Sequence, residues 1–578
     1  MGMSRPVQGV LRAAVLAGPA AVVLYLVLRY GVNVPSWDQW TLVDSMVQLD
    51  LGSLPWAGII GQHNEHRMIF PKLLMLLLAL LTRWHIVAEM LAGVLLTGCS
   101  LLILLALLRP ILRETSQAAT VWASFIIAAT LFSLGQWENW LWGWQVQWFL
   151  GVTAAVSTVA LATRSLGSRR PWPWIAGAAG AAIVCQYSIA SGVAVWISGA
   201  LILTFHPNRR RILLVWTAIA LCTTALYFIG YVRPLHHPSP LAALDHPLAF
   251  LIFAGNYLSG PLGRDTALGL GAGLAFSGLA ASTAIRFWRM PELIMPWIAL
   301  GTFAGATALL TAAGRVGMGT EQGFASRYAT VGLLLTIALV PLGLLAYRAW
   351  PAGRWARLRR IVGLGGAMLL TVLVIRTDVQ SLKPIAAESR KMAEARECLI
   401  RIDEATDECL GKIFSHSAPV RDRTKKLQAF GWSGFPAHAS QPAGTLLLAG
   451  PTGARLWRLR PDYREIGWLD KAHLAGGTLT VSGWARPPRD DGGGAPRVVV
   501  TVGDALAGEA RYVGEAVIGD ESPLVAAHYN DPALRRSGWT LHSESFSSAA
   551  RPLRFRAYLV VGDGMLSPIG GGAMIEQR

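Results

Sequence analysis

Apolar runs of about 20 residues, each long enough to cross a hydrocarbon core, recur between Val10 and Arg376 and then cease. Inside a bilayer the backbone must satisfy its own polar groups, so each of these runs is expected to be a helix. The chain therefore divides into a polytopic membrane body of about 375 residues and a water-soluble tail of about 200. Composition agrees, because only 15% of residues are charged, against about 25% in soluble domains.

Of the net charge of +17, +14 belongs to the body. From Arg376 onward there are 26 Lys/Arg and 23 Asp/Glu, whereas the preceding part has 25 and 11. An excess confined to the loops of a membrane body is the positive-inside bias, and it excludes the need for a nucleic-acid partner. The first apolar run lacks a small-residue cleavage site and is followed by further runs, so it reads as a retained anchor. Placing the basic clusters at Arg109 and Arg113, Arg164 to Arg170, Arg209 to Arg211, Arg286 and Arg289, and Arg348 to Arg360 in the cytoplasm gives about 11 transmembrane helices. The N-terminus is then cytoplasmic and the tail extracytoplasmic. On this scheme Ile69 to Leu81 is a short helix dipping into the outer leaflet.

The expected outer loops hold the candidate functional residues. In VPSWDQW, Asp38 lies between Trp37 and Trp40, which would hold its carboxylate at headgroup depth, where it could accept a proton from an attacking hydroxyl. A solvated acid at a helix start fits the same residue. The run His63, Asn64, Glu65, His66, Arg67 precedes an apolar helix, and on a helix His63, His66 and Arg67 would share a face. Those groups could hydrogen-bond a substrate or, with Asp38, hold a divalent metal such as Mg or Mn, although the spacing matches no standard signature. In GQWENWLWGWQVQWFL, a helix would align Trp137, Trp140, Trp144 and Trp148 as an interfacial belt, with Glu138, Trp142 and Gln145 on a neighbouring face. An acid, an indole and an amide together suit a polyhydroxylated ligand. In AAGRVGMGTEQGFASRYAT, Arg315 and Arg327, with Tyr328, put positive charge on the outer side against the bias. A lipid phosphate would account for it, and so would snorkelling.

Beyond Arg376 the expected layout is a membrane domain over 1–376, a helical and linker segment over 377–465, and a β-sandwich over 466–578. Cys398 and Cys409 in ECLIRIDEATDEC can close a short loop in an oxidising compartment, contributing about 3 kcal/mol. TLTVSGWA, PRVVVTV, ARYVGEAVI, GWTLHSESF and LRFRAYLVV are short strand patterns separated by Gly, Pro and Asp. No phosphate loop, nucleotide fingerprint or Ser/His/Asp constellation is present, so the sequence supports neither nucleotide-sugar nor ATP-driven chemistry.

The body resembles the GT-C class of integral-membrane glycosyltransferases: many spans, an acid in the first outer loop soon after the first span, an amphipathic segment in that loop, and a soluble outer tail. The resemblance covers about two-thirds of the chain. It implies sugar transfer from a polyprenyl-phosphate donor to a glycan, lipid or protein acceptor outside a bacterial cytoplasmic membrane, with Asp38 in the family's acidic position. Glu65 is a second acid of that loop. WDQW supplies one acid where the family often has two. GWLD, SGWAR and DPALRRSGW resemble a β-module appended to other bacterial surface-polysaccharide membrane proteins. Two other readings keep the same residues: a transporter or flippase of lipid-linked saccharide, which would want midplane charges and repeated halves, and a scaffold of a polysaccharide-assembly complex.

Overall fold

In the computed structural model of this chain the described residues are 5–50, 55–234, 242–350, 353, 355–402, 404–430, 432–434, 445–450, 453–459, 467–475, 477–486, 495–503, 511–529, 531–543, 553–561 and 565–575. The chain divides into two compact units. The first comprises Met1–Val32, Ile59–Leu78 and Ile86–Met392; the second comprises Asn33–Gly58, Ala79–His85 and Ala393–Arg578.

The first unit is a helical membrane body. Among the described residues, eight helical stretches, some of them made of consecutive helices, have the length and apolarity to cross a bilayer: Ile86–Leu112, Gln117–Leu141, Gly143–Leu166, Arg209–Phe228, Thr266–Phe287, Pro291–Met318, Ser326–Ala349 and Ala356–Ile400. Leu16–Tyr30, Ile69–Thr82, Ala190–Leu203 and Pro247–Leu258 are shorter apolar helices. At 1.5 Å per residue, Ile69–Thr82 reaches only about 21 Å, short of a hydrocarbon core of about 30 Å. Small side chains let the helices approach. Ala154, Ala155, Thr158 and Ala162 are buried on one helix and Ala178 and Ala182 on the next, and the Thr158 hydroxyl donates to the Ala178 carbonyl at 3.4 Å.

The Trp-rich segment is not one helix. The helix starting at Gln117 ends at Leu131, a short helix follows at Trp137–Leu141, Trp142 is extended (φ −129°, ψ 108°), and a new helix begins at Val146. The break has side-chain causes. The Asp378 carboxylate accepts from the Ser133 hydroxyl and the Leu134 N–H, both at 2.7 Å, satisfying groups that a continuing helix would have bonded internally. Gly135 fits there because a Cβ would lie 2.9 Å from both the Gly260 carbonyl oxygen and Thr377 Cγ2. Asn139 Nδ2 donates to the Ser326 carbonyl and to Thr330 Oγ1, and the Thr330 hydroxyl donates to Gln136 Oε1, each at 2.7 Å. This ties the elbow to the start of the Ser326–Ala349 helix. The expected belt is corrected accordingly: Trp140, Trp144 and Trp148 are 2%, 1% and 2% exposed, so they pack inside the unit instead of facing headgroups.

The second unit contains the first loop, a helical segment and a β-sandwich. Its strands are β1 (Thr445–Gly450), β2 (Gly453–Leu459), β3 (Gly467–Ala475), β4 (Thr478–Ala485), β5 (Arg497–Val502), β6 (Arg511–Val517), β7 (Gly538–Ser543), β8 (Leu553–Val561), β9 (Met565–Pro568), β10 (Gly570–Gly571) and β11 (Ala573–Ile575). One sheet runs β1-β2-β9-β8-β5-β6 with β11 on β8, and the other runs β10-β3-β4-β7. Alternation buries Leu479, Val481, Val498, Val500, Trp539, Leu541, Phe555 and Leu559 between them. SGWAR and DPALRRSGW meet where Arg486 pairs with Asp531 at 2.6 Å, and Asp531 Oδ1 also caps the following turn by accepting from the Ala533 N–H at 3.0 Å.

Candidate functional site

The HNEHR segment is a tight turn, not a helix, so the shared helical face expected for His63, His66 and Arg67 does not form. His63 and His66 exchange both backbone hydrogen bonds at 2.8 Å, and Asn64 at the tip has φ +48°, which asparagine tolerates better than most residues. Arg67, expected to bind substrate, is bonded to backbone carbonyls. Its Nε donates to the Tyr227 carbonyl at 2.6 Å, Nη1 to the Ile60 carbonyl at 3.2 Å, and Nη2 to the Ile229 carbonyl. The guanidinium fastens the turn to the end of the Arg209–Phe228 helix, and the Tyr227 hydroxyl completes the join by donating to the Glu65 carbonyl at 2.6 Å.

Held this way, Glu65 forms an ion pair with Arg315. Burial works to raise its carboxyl, but its interactions with His66 and Arg315 outweigh burial and bring it down to about 2. His66 lies beside the pair, with Nε2 3.4 Å from Glu65 Oε1, and its Nδ1 accepts from the Ala190 N–H at 2.9 Å. A peptide donor on Nδ1 leaves the single imidazole proton on Nε2, facing the carboxylate. Burial holds His66 below its ordinary value, Glu65 opposes this, and Arg315 adds to it. The result is a neutral imidazole beside the ion pair, with His66 Nε2 and Arg315 both facing Glu65 Oε1.

Aromatic rings wall the cluster. His66 meets Trp148 edge-on at 6.2 Å, Trp148 meets Tyr328 at 5.9 Å, Tyr328 stacks on Tyr257 at 4.9 Å, and His63 lies 5.0 Å from Trp144. Arg327 sits over the Tyr328 ring at 5.1 Å. It acts electrostatically on both His66 and Glu138, and Glu138 is also within reach of Arg264. Gln145 Oε1 and Trp148 Nε1 are buried with no hydrogen-bond partner among the described residues. Such orphaned groups suit a ligand carrying hydroxyls.

The path of the loop from Arg315 to Arg327 depends on its glycines and on Asn256. Gly319 has φ +102°, a backbone state closed to most side chains. At Gly323 a Cβ would lie 2.7 Å from the Phe253 carbonyl oxygen and from Asn256 Cβ. Asn256 Nδ2 donates to the Thr320 carbonyl at 2.9 Å.

The first unit thus gathers Glu65, His66, Arg315, Arg327, Tyr328 and Glu138. Arg67 instead spends its donors on the Tyr227, Ile60 and Ile229 carbonyls. Asp38 belongs to the second unit, on the 3-10 turn Trp37–Leu42. Trp142 is half-buried at the elbow. The residues do not fit a bound metal: Glu65 is engaged by Arg315, His66 Nδ1 by a peptide N–H, and among the described residues no three His, Cys, Asp or Glu side chains converge. Sequence reasoning missed Tyr227, Tyr257 and Lys72. Lys72 carried a readable signal, being the one charge in the apolar run 68–82; it is buried and donates to the Gly61 carbonyl at 3.0 Å.

No protein-family model matches the sequence, and no curated protein matches it. Solved structures similar to the chain include the archaeal oligosaccharyltransferase AglB from Archaeoglobus fulgidus in complex with an inhibitory peptide and a dolichol-phosphate. That similarity is 12% identity over 70% of this chain and 59% of that one, with a TM-score of 0.36. The Archaeoglobus fulgidus oligosaccharyltransferase in complex with Zn and sulfate is 15% identical over 68% and 55%, with a TM-score of 0.34. ArnT from Cupriavidus metallidurans bound to undecaprenyl phosphate is 14% identical over 74% and 79%, with a TM-score of 0.35. The chain spans less than two-thirds of the archaeal proteins' length.

Proposed function

We propose that this protein is a membrane glycosyltransferase that moves a sugar from a polyprenyl-phosphate-linked donor to an acceptor glycan, lipid or protein on the outer face of a bacterial cytoplasmic membrane. The observation that carries the reading is the fixed cationic cluster of the first unit: Arg315 clamped by Glu65, Arg327 at the far end of a glycine-braced loop, and a neutral His66 with buried, orphaned hydrogen-bonding groups beside them. In the transfer, an acceptor hydroxyl attacks the anomeric carbon, the bond to the phosphate oxygen breaks, and the polyprenyl phosphate leaves with the bonding electrons. The largest electrostatic demand is the charge on that leaving group.

Arg327 and Arg315, with Tyr328, are assigned to the phosphate. Because Glu65 already balances Arg315, the uncompensated charge falls on Arg327. His63, His66, Glu138, Trp142 and Gln145 are assigned to the sugar hydroxyls, and Glu65 to holding Arg315. Asp38 is assigned as the base that receives the acceptor's proton, in a single inverting displacement. The carrier is of the same chemical class as the dolichol-phosphate and undecaprenyl phosphate bound by the similar structures.

The test is transfer from a polyprenyl-linked sugar. Asp38→Asn should lower kcat at least about a hundredfold with the protein still folded, and unaltered turnover would remove the base assignment. Arg327→Ala should raise KM for the lipid donor about tenfold or more, as expected for a lost charge-assisted contact.

A further inference from the structure

Within the second unit, the helical part of the tail grips the first loop at several points. The Trp37 N–H donates to the Ile413 carbonyl at 2.7 Å, and the Trp37 ring meets Phe414 edge-on at 6.3 Å. Arg423 pairs with Asp44 at 3.3 Å, and Asn33 Nδ2 donates to the Ser433 carbonyl at 2.7 Å. The Ser433 N–H in turn donates to the Arg83 carbonyl at 2.7 Å.

The gripping segment is itself locked. A disulfide joins Cys398 to Cys409 across the loop. Arg421 donates to the Ile402 and Ala405 carbonyls at 2.9 and 2.5 Å and pairs with Asp407 at 2.9 Å. Leu399, Ile402, Leu410, Ile413, Val420 and Leu427 are buried.

Trp37 immediately precedes Asp38 and has φ +50°. For a bulky residue that conformation is strained and persists only where the surroundings over-determine it. Here the surroundings include the Ile413 carbonyl and the Phe414 ring.

We infer that the tail segment that begins with the Cys398–Cys409 disulfide loop and carries Ile413, Phe414 and Arg423 is a positioning collar for Asp38: it holds Trp37 in its strained conformation and thereby sets the direction of the carboxylate. The soluble tail is then a working part of the transferase. This rests on the assignment of Asp38 as base, and the experiment separates the two.

The probes are Arg423→Ala, and Cys398→Ser combined with Cys409→Ser, in the full chain in lipid nanodiscs, with Asp38→Asn alongside. Amide exchange of Trp37–Leu42 should accelerate at least about tenfold in both collar variants. kcat should fall about ten- to a hundredfold, as misplacement of a catalytic group does, while KM for the lipid donor stays within about twofold, because the phosphate groups are untouched. Arg423→Lys should recover most of kcat. Unchanged exchange overturns the collar whatever the activity, and covers the case in which the cysteine variant fails to fold, since Arg423→Ala leaves the disulfide and the buried apolar side chains of the segment in place. Faster exchange with unchanged kcat, alongside an inactive Asp38→Asn, also overturns it. An Asp38→Asn variant of undiminished turnover removes the base assignment instead, leaving exchange alone to judge whether the collar governs the loop.

Discussion

Glu65 shows how one side chain acquires a role that its neighbours in sequence do not indicate. Its partner Arg315 is 250 residues away, so nothing in HNEHR announces the pair. Removing the carboxylate would strand a mostly buried guanidinium, and Glu65→Gln should therefore destabilise the first unit by about 3 kcal/mol or more, read as a lowered thermal midpoint. The same contacts set a pH dependence. Glu65 is held at about 2, below its ordinary 4.5, so its contribution to stability is complete above about pH 4.5 and is lost as pH falls toward 2. His66 is held below 6.5, so protonating it also costs stability as pH drops beneath that value. Acid titration of the thermal midpoint should show a decline beginning near pH 6.5 and steepening below 4.5, and Glu65→Gln should flatten the lower part.

Among the elements, the informative ones are those that interrupt helices. A helix through the Trp-rich segment would align its Trp residues as one stripe, but Asp378 and the Gln136–Thr330–Asn139 network stabilise a broken path from remote positions. Local propensity loses to tertiary hydrogen bonding there. The loop between Arg315 and Arg327 was legible as glycine-rich, but its use of those glycines was not: Gly319 serves a positive φ and Gly323 a backbone contact. Gly323→Ala should cost about 1–3 kcal/mol through overpacking against Phe253 and Asn256. It should also weaken lipid-donor binding by changing the spacing of the two arginines, and a binding isotherm with a polyprenyl phosphate would measure this.

For the whole molecule, the consequential arrangement is the interleaving of the chain between its two units. The first loop, Asn33–Gly58, belongs with the tail, and the turn Ile59–Arg67 belongs with the membrane helices. A linear division at about residue 376 therefore describes where apolar runs end, while the compact units cut across it. The topology proposed from the basic loops has its own check: a C-terminal alkaline phosphatase fusion should be active and the matching fluorescent-protein fusion dark, which is the outcome for an extracytoplasmic tail.

Membrane body, soluble tail, β-rich C-terminal region and the strand patterns of the sandwich were all readable along the chain, because run length, charge density and two-residue alternation are properties of contiguous residues. The site was readable only as a set of candidates. Which cations are already occupied, as Arg67 is by carbonyls and Arg315 by Glu65, depends on partners brought together from distant positions. A carboxylate or guanidinium has the same composition whether it faces water, a carbonyl or an opposite charge, and its chemistry is set by which of these packing places beside it.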